Sequence, residues 1–253
     1  MNDLIEFWKK LGVNKKPYQH PSDKKHLKNL CVNEKNYKSY VSSDQYWKGS
    51  TSFHTNLLPI PYVGNLKTAK IFIVLLNPGL NVIDYYSEDT LEYQCELIKN
   101  LYQEKLNTKY PFVFLNPKFL WYSGGRFWRN KLKHYIIKTK KTTGKSYEDS
   151  LSFVSKKIVA LELIPYHSIN CNSNSVIKKL DSTAEMLRFI NEYVIPKTKI
   201  NQCCLIITRA TKLFDIDPNN KNIVLFKANQ SRAAHLSTKN SATEKKISEF
   251  LGI

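Results

Sequence analysis

The sequence predicts an α/β protein: a three-layer α/β/α sandwich on a central four-stranded parallel sheet, with a helical arm at its N-terminus. Three observations predict it. Four short apolar runs rich in Ile, Val, Leu and Phe recur along the 253 residues, helical patterns separate them, and each run ends in polar or turn-forming residues. A strand buried on both faces reads as a continuous apolar run. Alternation of such strands with helices makes a parallel sheet covered on both faces, with right-handed connections.

Residues 1–65 are rich in Lys, Asn, Ser and Tyr and carry only short apolar stretches, which predicts a basic N-terminal arm packed on a core domain of residues 66–253, the two forming one structural unit. Asn14-Lys15-Lys16 and Lys24-Lys25 are candidates for phosphate contacts, although lysines on a solvated face are the commoner outcome. The first strand is predicted over residues 69–76 and is closed by Asn77-Pro78-Gly79; a helix follows from residue 87 to about 106. A second helix is predicted from residue 126 to about 138, and the second strand over 158–164, ended by Pro165-Tyr166-His167-Ser168. A helix over 182–194, stopped by Pro196, leads to a third strand at 203–208, ended by Arg209-Ala210-Thr211. The fourth strand, 222–226, runs into Lys227-Ala228-Asn229-Gln230-Ser231, and an amphipathic helix over 243–251 closes the chain. In open sheets of this kind, ligands bind beyond the carboxyl ends of the strands.

Charge narrows the class of partner. With 39 Lys+Arg against 21 Asp+Glu, the formal charge is +18, which attracts phosphate backbones or anionic lipids. No apolar run reaches the roughly 18 residues of a membrane span, and no leader with a long apolar core is present, so the expectation is a cytoplasmic protein that binds nucleic acid and not membrane. The bland alternative is a solvated lysine-rich surface, Lys greatly outnumbering Arg. The cysteines Cys31, Cys95, Cys171, Cys203 and Cys204 lack C-x-x-C spacing and read as small core residues. The histidines His20, His26, His54, His134, His167 and His235 lack zinc-ligand spacing, so no metal and no cofactor is expected.

Asn77 closes an apolar strand, where a side-chain amide orients a water or a substrate group without carrying charge. Pro78 and Gly79 suit a tight turn that turns backbone N–H groups toward a ligand. Asn-Pro-Gly is by itself common turn punctuation. Other motifs fail: Thr143-Gly144-Lys145-Ser146 lacks the first glycine of a P-loop, which would stand at Thr139, and no G-x-S-x-G occurs. A two-carboxylate nuclease would want acids at several strand ends, whereas these ends carry Asn, His, Ser and Arg. No lysine is placed as an obvious Schiff-base nucleophile.

Leu76-Asn77-Pro78-Gly79-Leu80 resembles the I-N-P-G-L segment that follows the first strand in the uracil-DNA glycosylase superfamily, nearest its mismatch-specific uracil/thymine branch. Gly125-Arg126-Phe127-Trp128 is similar to the N-R-F-W that opens a helix in that branch. Asn229-Gln230-Ser231-Arg232 stands where the superfamily has a late H-P-S or N-P-S run that reaches the leaving base and enters the minor groove. The likeness covers residues 69 to 236 and departs at Leu75, where the branch has glycine, and at Gln230, where it has proline.

The resemblance implies a uracil-DNA glycosylase-like fold and a monofunctional DNA glycosylase that flips a nucleotide out of double-stranded DNA and hydrolyses its N-glycosidic bond. Asn77 would hold the water; Asp84 would act as base or stabilise the sugar cation, or else cap the following helix. Asn229 is the first choice for the leaving base and His235 its rival. Tyr85 and Tyr86 are the preferred walls of the base pocket; Phe127 and Trp128 are wall or core. Tyr166 and His167 would read the base, or sit as satisfied loop residues, and Arg126, Ser168, Ser231 and Arg232 would grip DNA. The superfamily also holds bacterial antiviral members acting on hypermodified phage cytosines, glucosylated hydroxymethylcytosine among them, and the departures here fit that group. Phage DNA is then the partner, and no obligate protein partner is evident. The rivals are a uracil or thymine-mismatch repair enzyme, a catalytically silent module that binds nucleic acid, and an RNA-binding or RNA-processing protein.

If the +18 charge is spent on phosphates, DNA affinity falls steeply and linearly in log salt, and a fluorescence-anisotropy titration measures the slope. A flat salt response removes the charge argument.

Overall fold

The segment Ile71–Leu75 (β2) is Ile-Phe-Ile-Val-Leu, a run of β-branched and large apolar side chains that favours extended backbone on a buried sheet. Ile71 and Ile73 enter one hydrophobic cluster and Phe72 and Val74 another, so both faces of the strand are covered. That is why its sequence does not alternate with polar residues. The computed structural model describes residues 1–32, 34–47, 51–171, 176–227, 230, 235–237 and 241–253.

β2 pairs in parallel with Ile158–Glu162 (β3), in the register Ile71↔Ile158 to Leu75↔Glu162, and on its other side with Cys204–Ile207 (β4), Ile71 facing Cys204. Ile223–Leu225 (β5) extends the sheet in parallel beyond β4. All four expected strands form and all are parallel, but the sheet is mixed and five-stranded. Tyr62–Val63 (β1) adds an antiparallel edge against Leu161 and Ala160 of β3, giving the order β1-β3-β2-β4-β5. Two residues leave no periodicity to read, and a very short edge strand also offers little template for unwanted pairing. β1 lies within the expected arm, so the first 65 residues supply part of the sheet itself.

Helices cover both faces. On the Ile71 and Ile73 side lie Leu91–Tyr102 (α3), Ser123–Thr143 (α4), Tyr147–Ser155 (α5) and Ser241–Leu251 (α7), through side chains such as Leu97, Leu132, Val154 and Ile247. On the Phe72 and Val74 side lie Asn2–Lys9 (α1), through Leu4 and Trp8, and Asp181–Phe189 (α6), through Met186 and Phe189. The Thr143-Gly144-Lys145-Ser146 segment is the exit of α4 and the cap of α5, where Ser146 Oγ accepts the Asp149 N–H at 3.0 Å.

Two helix expectations need correcting. The helix expected over residues 87–106 is two helices, Val82–Glu88 (α2) and α3, separated at Asp89 and Thr90. Asn81 starts α2: its Oδ1 accepts the Ile83 N–H at 3.1 Å while Asp84 Oδ2 accepts the Asn81 N–H at 2.6 Å. Pro196 does not stop its helix. A π-helical stretch, Ile190–Val194, follows α6, and the proline enters the first turn of a further helical segment, Ile195–Lys199. A proline in the first turn of a helical segment forfeits no hydrogen bond within that segment, because first-turn N–H groups have no acceptor there, and the π turn upstream absorbs the register change.

The start of α4 presses on the preceding segment. A Cβ built on Gly125 would stand 2.0 Å from the Phe119 carbonyl oxygen and 2.7 Å from Leu120 Cα, both backbone atoms that cannot turn aside. Gly125→Ala should therefore destabilise the protein by about 1–3 kcal/mol, the usual cost of overpacking, in spite of alanine's better helix propensity. Urea denaturation measures it, and an unchanged midpoint would refute the close approach.

Candidate functional site

Polar side chains are barred from the two faces of β2 and β3, so they collect where the strands end. A cavity of about 660 Å³ opens there, on the side of the sheet covered by α3 and α4. Its sheet side is Val63, Leu75, Ala160 and Glu162; Tyr93, Phe114, Phe127 and Trp128 form aromatic walls. The Asn77-Pro78-Gly79-Leu80 turn borders it, together with Asp84 and Glu88 of α2, Ser123 of α4, and His167 and Asn170 after β3. Thr208 and Arg209 after β4, and Lys131 of α4, also line it.

The turn is locked in place. Gly79 has φ +72°, a left-handed conformation that L side chains adopt at a cost, and its carbonyl accepts the His167 Nδ1–H at 2.9 Å. Asn77 Nδ2 donates to Ser168 Oγ at 3.0 Å, so both strand-ending loops are fastened to each other. The N-terminal segment holds the opposite side: His54 N–H donates to the His167 carbonyl at 2.8 Å, Leu58 N–H to Glu88 Oε2 at 2.8 Å, and Ile60 N–H to the Pro165 carbonyl at 2.8 Å.

Burial sets the ionisation of the site. Glu162 is 5% exposed, its Oε2 has no hydrogen-bond partner among the described residues, and burial holds its carboxyl well above the usual carboxylate range. Burial also pushes Glu88 up to about 8, the Leu58 N–H opposing the shift. Burial lowers His167 below its ordinary value, with nearby Asp84 pulling the other way. His54, which shares a 2.6 Å hydrogen bond with the Tyr85 hydroxyl, falls to about 4 through burial and the neighbouring His167. Asp84 is satisfied at both oxygens, by the Asn81 N–H and by the Ser123 hydroxyl. Desolvation, with Arg209 nearby, lowers Lys131. Among the described residues no group of three or more His, Cys, Asp or Glu side chains is arranged to hold a metal ion, and no helix is long and apolar enough to cross a membrane.

Asn77, Asp84, Phe127, Trp128 and His167, all singled out from sequence, meet at this cavity. Asp84 is both a cap of α2 and a lining residue. Trp128 is both wall and core, packing edge-to-face on Phe112 at 5.1 Å. Other expectations are corrected. Tyr85 and Tyr86 do not line the cavity: α2 turns Tyr85 into a buried contact with His54 and leaves Tyr86 60% exposed. Tyr166 faces the opposite side of the sheet, where its hydroxyl donates to Asp23 Oδ2 at 2.8 Å. Ser168 is 1% exposed and bonded to Asn77, which removes it from contact with DNA. His235 is exposed and outside the cavity lining; Arg126, expected at the DNA, is exposed on α4. Asn229, Ser231 and Arg232 lie outside the described residues.

Glu162 and Glu88 are not among the residues singled out from sequence. The sequence predicts a second strand over 158–164 ended by Pro-Tyr-His-Ser, whereas the final sheet residue is Glu162, so an acid stands at a strand end, with Glu88 and Asp84 lining the same space. The signal was present as the one charged residue within an otherwise apolar run. Lys131 is likewise a lysine in the cavity wall, three positions after Trp128, and its place was readable only once α4 was laid against the sheet. Comparison of the chain with protein-family models, with curated proteins and with solved structures finds no match.

The Glu88 shift has a definite sign. Its folded-state pKa is raised, so the folded protein keeps a proton that the unfolded chain loses between its ordinary 4.5 and about 8. The stability this represents is full below 4.5 and is lost as pH rises toward 8, on the order of 1 kcal/mol per pH unit. Glu162 acts in the same direction and His167 in the opposite one, so the difference between wild type and Glu88→Gln isolates the effect. Denaturant titrations across this range should show the wild type losing stability relative to Glu88→Gln as pH rises; parallel curves would contradict the shift.

Proposed function

We propose that the chain is a monofunctional DNA glycosylase of uracil-DNA glycosylase-like fold that flips a modified base out of double-stranded DNA and hydrolyses its N-glycosidic bond, leaving an abasic site. The observation that carries this reading is the cavity at the carboxyl edge of the parallel strands, where Asn77 and Asp84 stand beside aromatic walls. A flipped base needs flat apolar walls and hydrogen bonds at its edge, and the +18 charge suits the DNA backbone. The volume of about 660 Å³ exceeds what a plain pyrimidine fills. It therefore favours a base with a bulky substituent, such as the glucosylated hydroxymethylcytosine of phage DNA, and with it a cytoplasmic anti-phage role.

Asn77, oriented by its bond to Ser168, holds the attacking water. The water oxygen bonds to C1′ as the C1′–N bond breaks, the electron pair leaves with the base, and the proton passes toward Asp84. The Asp84 charge also stabilises the oxocarbenium-like sugar. Lys131 and Arg209, in the cavity wall, face the negative charge that develops on the base.

DNA containing uracil, unmodified DNA and glucosylated phage DNA, each incubated with the protein and then treated with alkali, should show strand breaks for the glucosylated DNA alone. Asn77→Ala should reduce release by at least about 100-fold, the scale for loss of a group that stabilises the transition state, while DNA affinity stays within twofold. Borohydride should trap no adduct through Lys131. Breaks with uracil DNA alone would replace the defence role by repair, a trapped adduct would replace hydrolysis by amine catalysis, and binding without release on any substrate would overturn the enzyme reading.

A further inference from the structure

Trp121 is 64% exposed, whereas Trp8 and Trp128 are buried. The exposure does not come from a loose side chain. Its indole N–H donates to the Lys118 carbonyl at 2.7 Å, and one face of the ring stacks on Tyr122, with centroids 4.9 Å apart and 29° between the planes. Tyr122 in turn stacks on Phe119 and packs edge-to-face on Tyr93, both core residues. The donor and one face are therefore spent on the protein, and the other face is presented to solvent as a flat, fixed surface.

Position and charge say what that surface meets. Ser123 and Gly124, which line the cavity, follow directly after Tyr122. The two residues from Trp121 to Ser123 span at most about 7 Å, the length of roughly two stacked nucleotides at about 3.4 Å each. α4, which starts at Ser123, carries seven Lys and Arg and no acid in its 21 residues, whereas α1, α2, α3, α5, α6 and α7 carry two acids each. Arg126 and Arg129, on its first two turns, are exposed and form no ion pair among the described residues. A flat ring beside unneutralised cations complements a strand of nucleotides, which offers π faces and phosphates side by side.

We propose that Trp121 is the stacking platform for the base that adjoins the flipped nucleotide, with Arg126 and Arg129 on the phosphates beside it. Flipping takes one stacking partner away from that neighbouring base, and the open indole face replaces it. The inference rests on the glycosylase reading for the flipped nucleotide, and it uses no residue of the hydrolytic step.

A DNA duplex carrying a single tetrahydrofuran abasic analogue presents the swung-out backbone without requiring any particular excised base. Its binding to the full chain is followed by fluorescence anisotropy and by tryptophan emission. Wild type should bind with quenched emission, and Trp121→Phe should lose most of the quench while binding within about threefold of wild type. Trp121→Ala should bind at least about fivefold more weakly, the lower end for one base–aromatic stack, with its thermal melt unchanged. A second duplex, in which both neighbours of the analogue are also baseless, leaves nothing to stack. It should bind wild type at least about fivefold more weakly than the first duplex does, and should bind wild type and Trp121→Ala equally. Wild-type affinity in Trp121→Ala, a quench that survives in Trp121→Phe, or the same alanine loss on the baseless duplex would overturn the inference. No binding of the first duplex, or quenching by phosphatidylserine vesicles in its place, would overturn it too. Should Trp121→Ala fold poorly, the quench in Trp121→Phe and the wild-type comparison of the two duplexes decide. Failure of the glycosylase reading is separately visible: stacking through Trp121 without base release from any DNA leaves the platform standing and removes the enzyme.

Discussion

β2 is hydrogen-bonded to a strand on each side and covered on both faces, and the molecule is organised around that constraint. Its backbone is paired on both edges, and its side chains from Ile71 to Val74 are buried in the two core layers. The first place where the chain can present polar atoms is therefore beyond Leu75. β3 and β4 run parallel in register with it, so their polar ends arrive at the same edge. The cavity is the space these ends leave beneath α3 and α4, and the residues of the Asn77 turn border it because they are the next residues available.

The cavity brings acids and bases together: Glu162, Glu88 and Asp84 line it with Lys131 and Arg209. The formal charge of +18 is carried mainly by lysines. Water screens surface charges, whereas burial makes an isolated carboxylate so costly that it takes up a proton instead. Asp84 accepts hydrogen bonds at both oxygens, from the Asn81 N–H and the Ser123 hydroxyl.

The N-terminal segment is a structural part of the site. β1 extends the sheet beside β3, and His54, Leu58 and Ile60 hold the His167 loop and the end of α2 through backbone N–H groups. Its lysine-rich composition hid this role, because backbone hydrogen bonds leave little trace in side-chain patterns. The tyrosines show the same limit from the other direction. Tyr85 and Tyr86 follow the Asn77 turn closely in sequence, yet the capped start of α2 fixes their azimuth, one inward against His54 and one outward to solvent.

From sequence alone came the α/β class, four parallel strands, the α3, α4, α6 and α7 helices in outline, and Asn77, Asp84, Phe127, Trp128 and His167 as residues of the carboxyl edge. These are legible because apolar runs, caps and turn residues are local and periodic. Tertiary structure alone decided that Glu162, Glu88 and Lys131 face the same cavity, that Tyr166 and Ser168 are buried away from ligand, and that a fifth, antiparallel strand closes the sheet. Which face a side chain leaves by, and what it meets there, depends on partners far away in the chain. The Asn77 turn could be found from its own residues, whereas the chemistry opposite it required β3, α2 and α4 to be brought together.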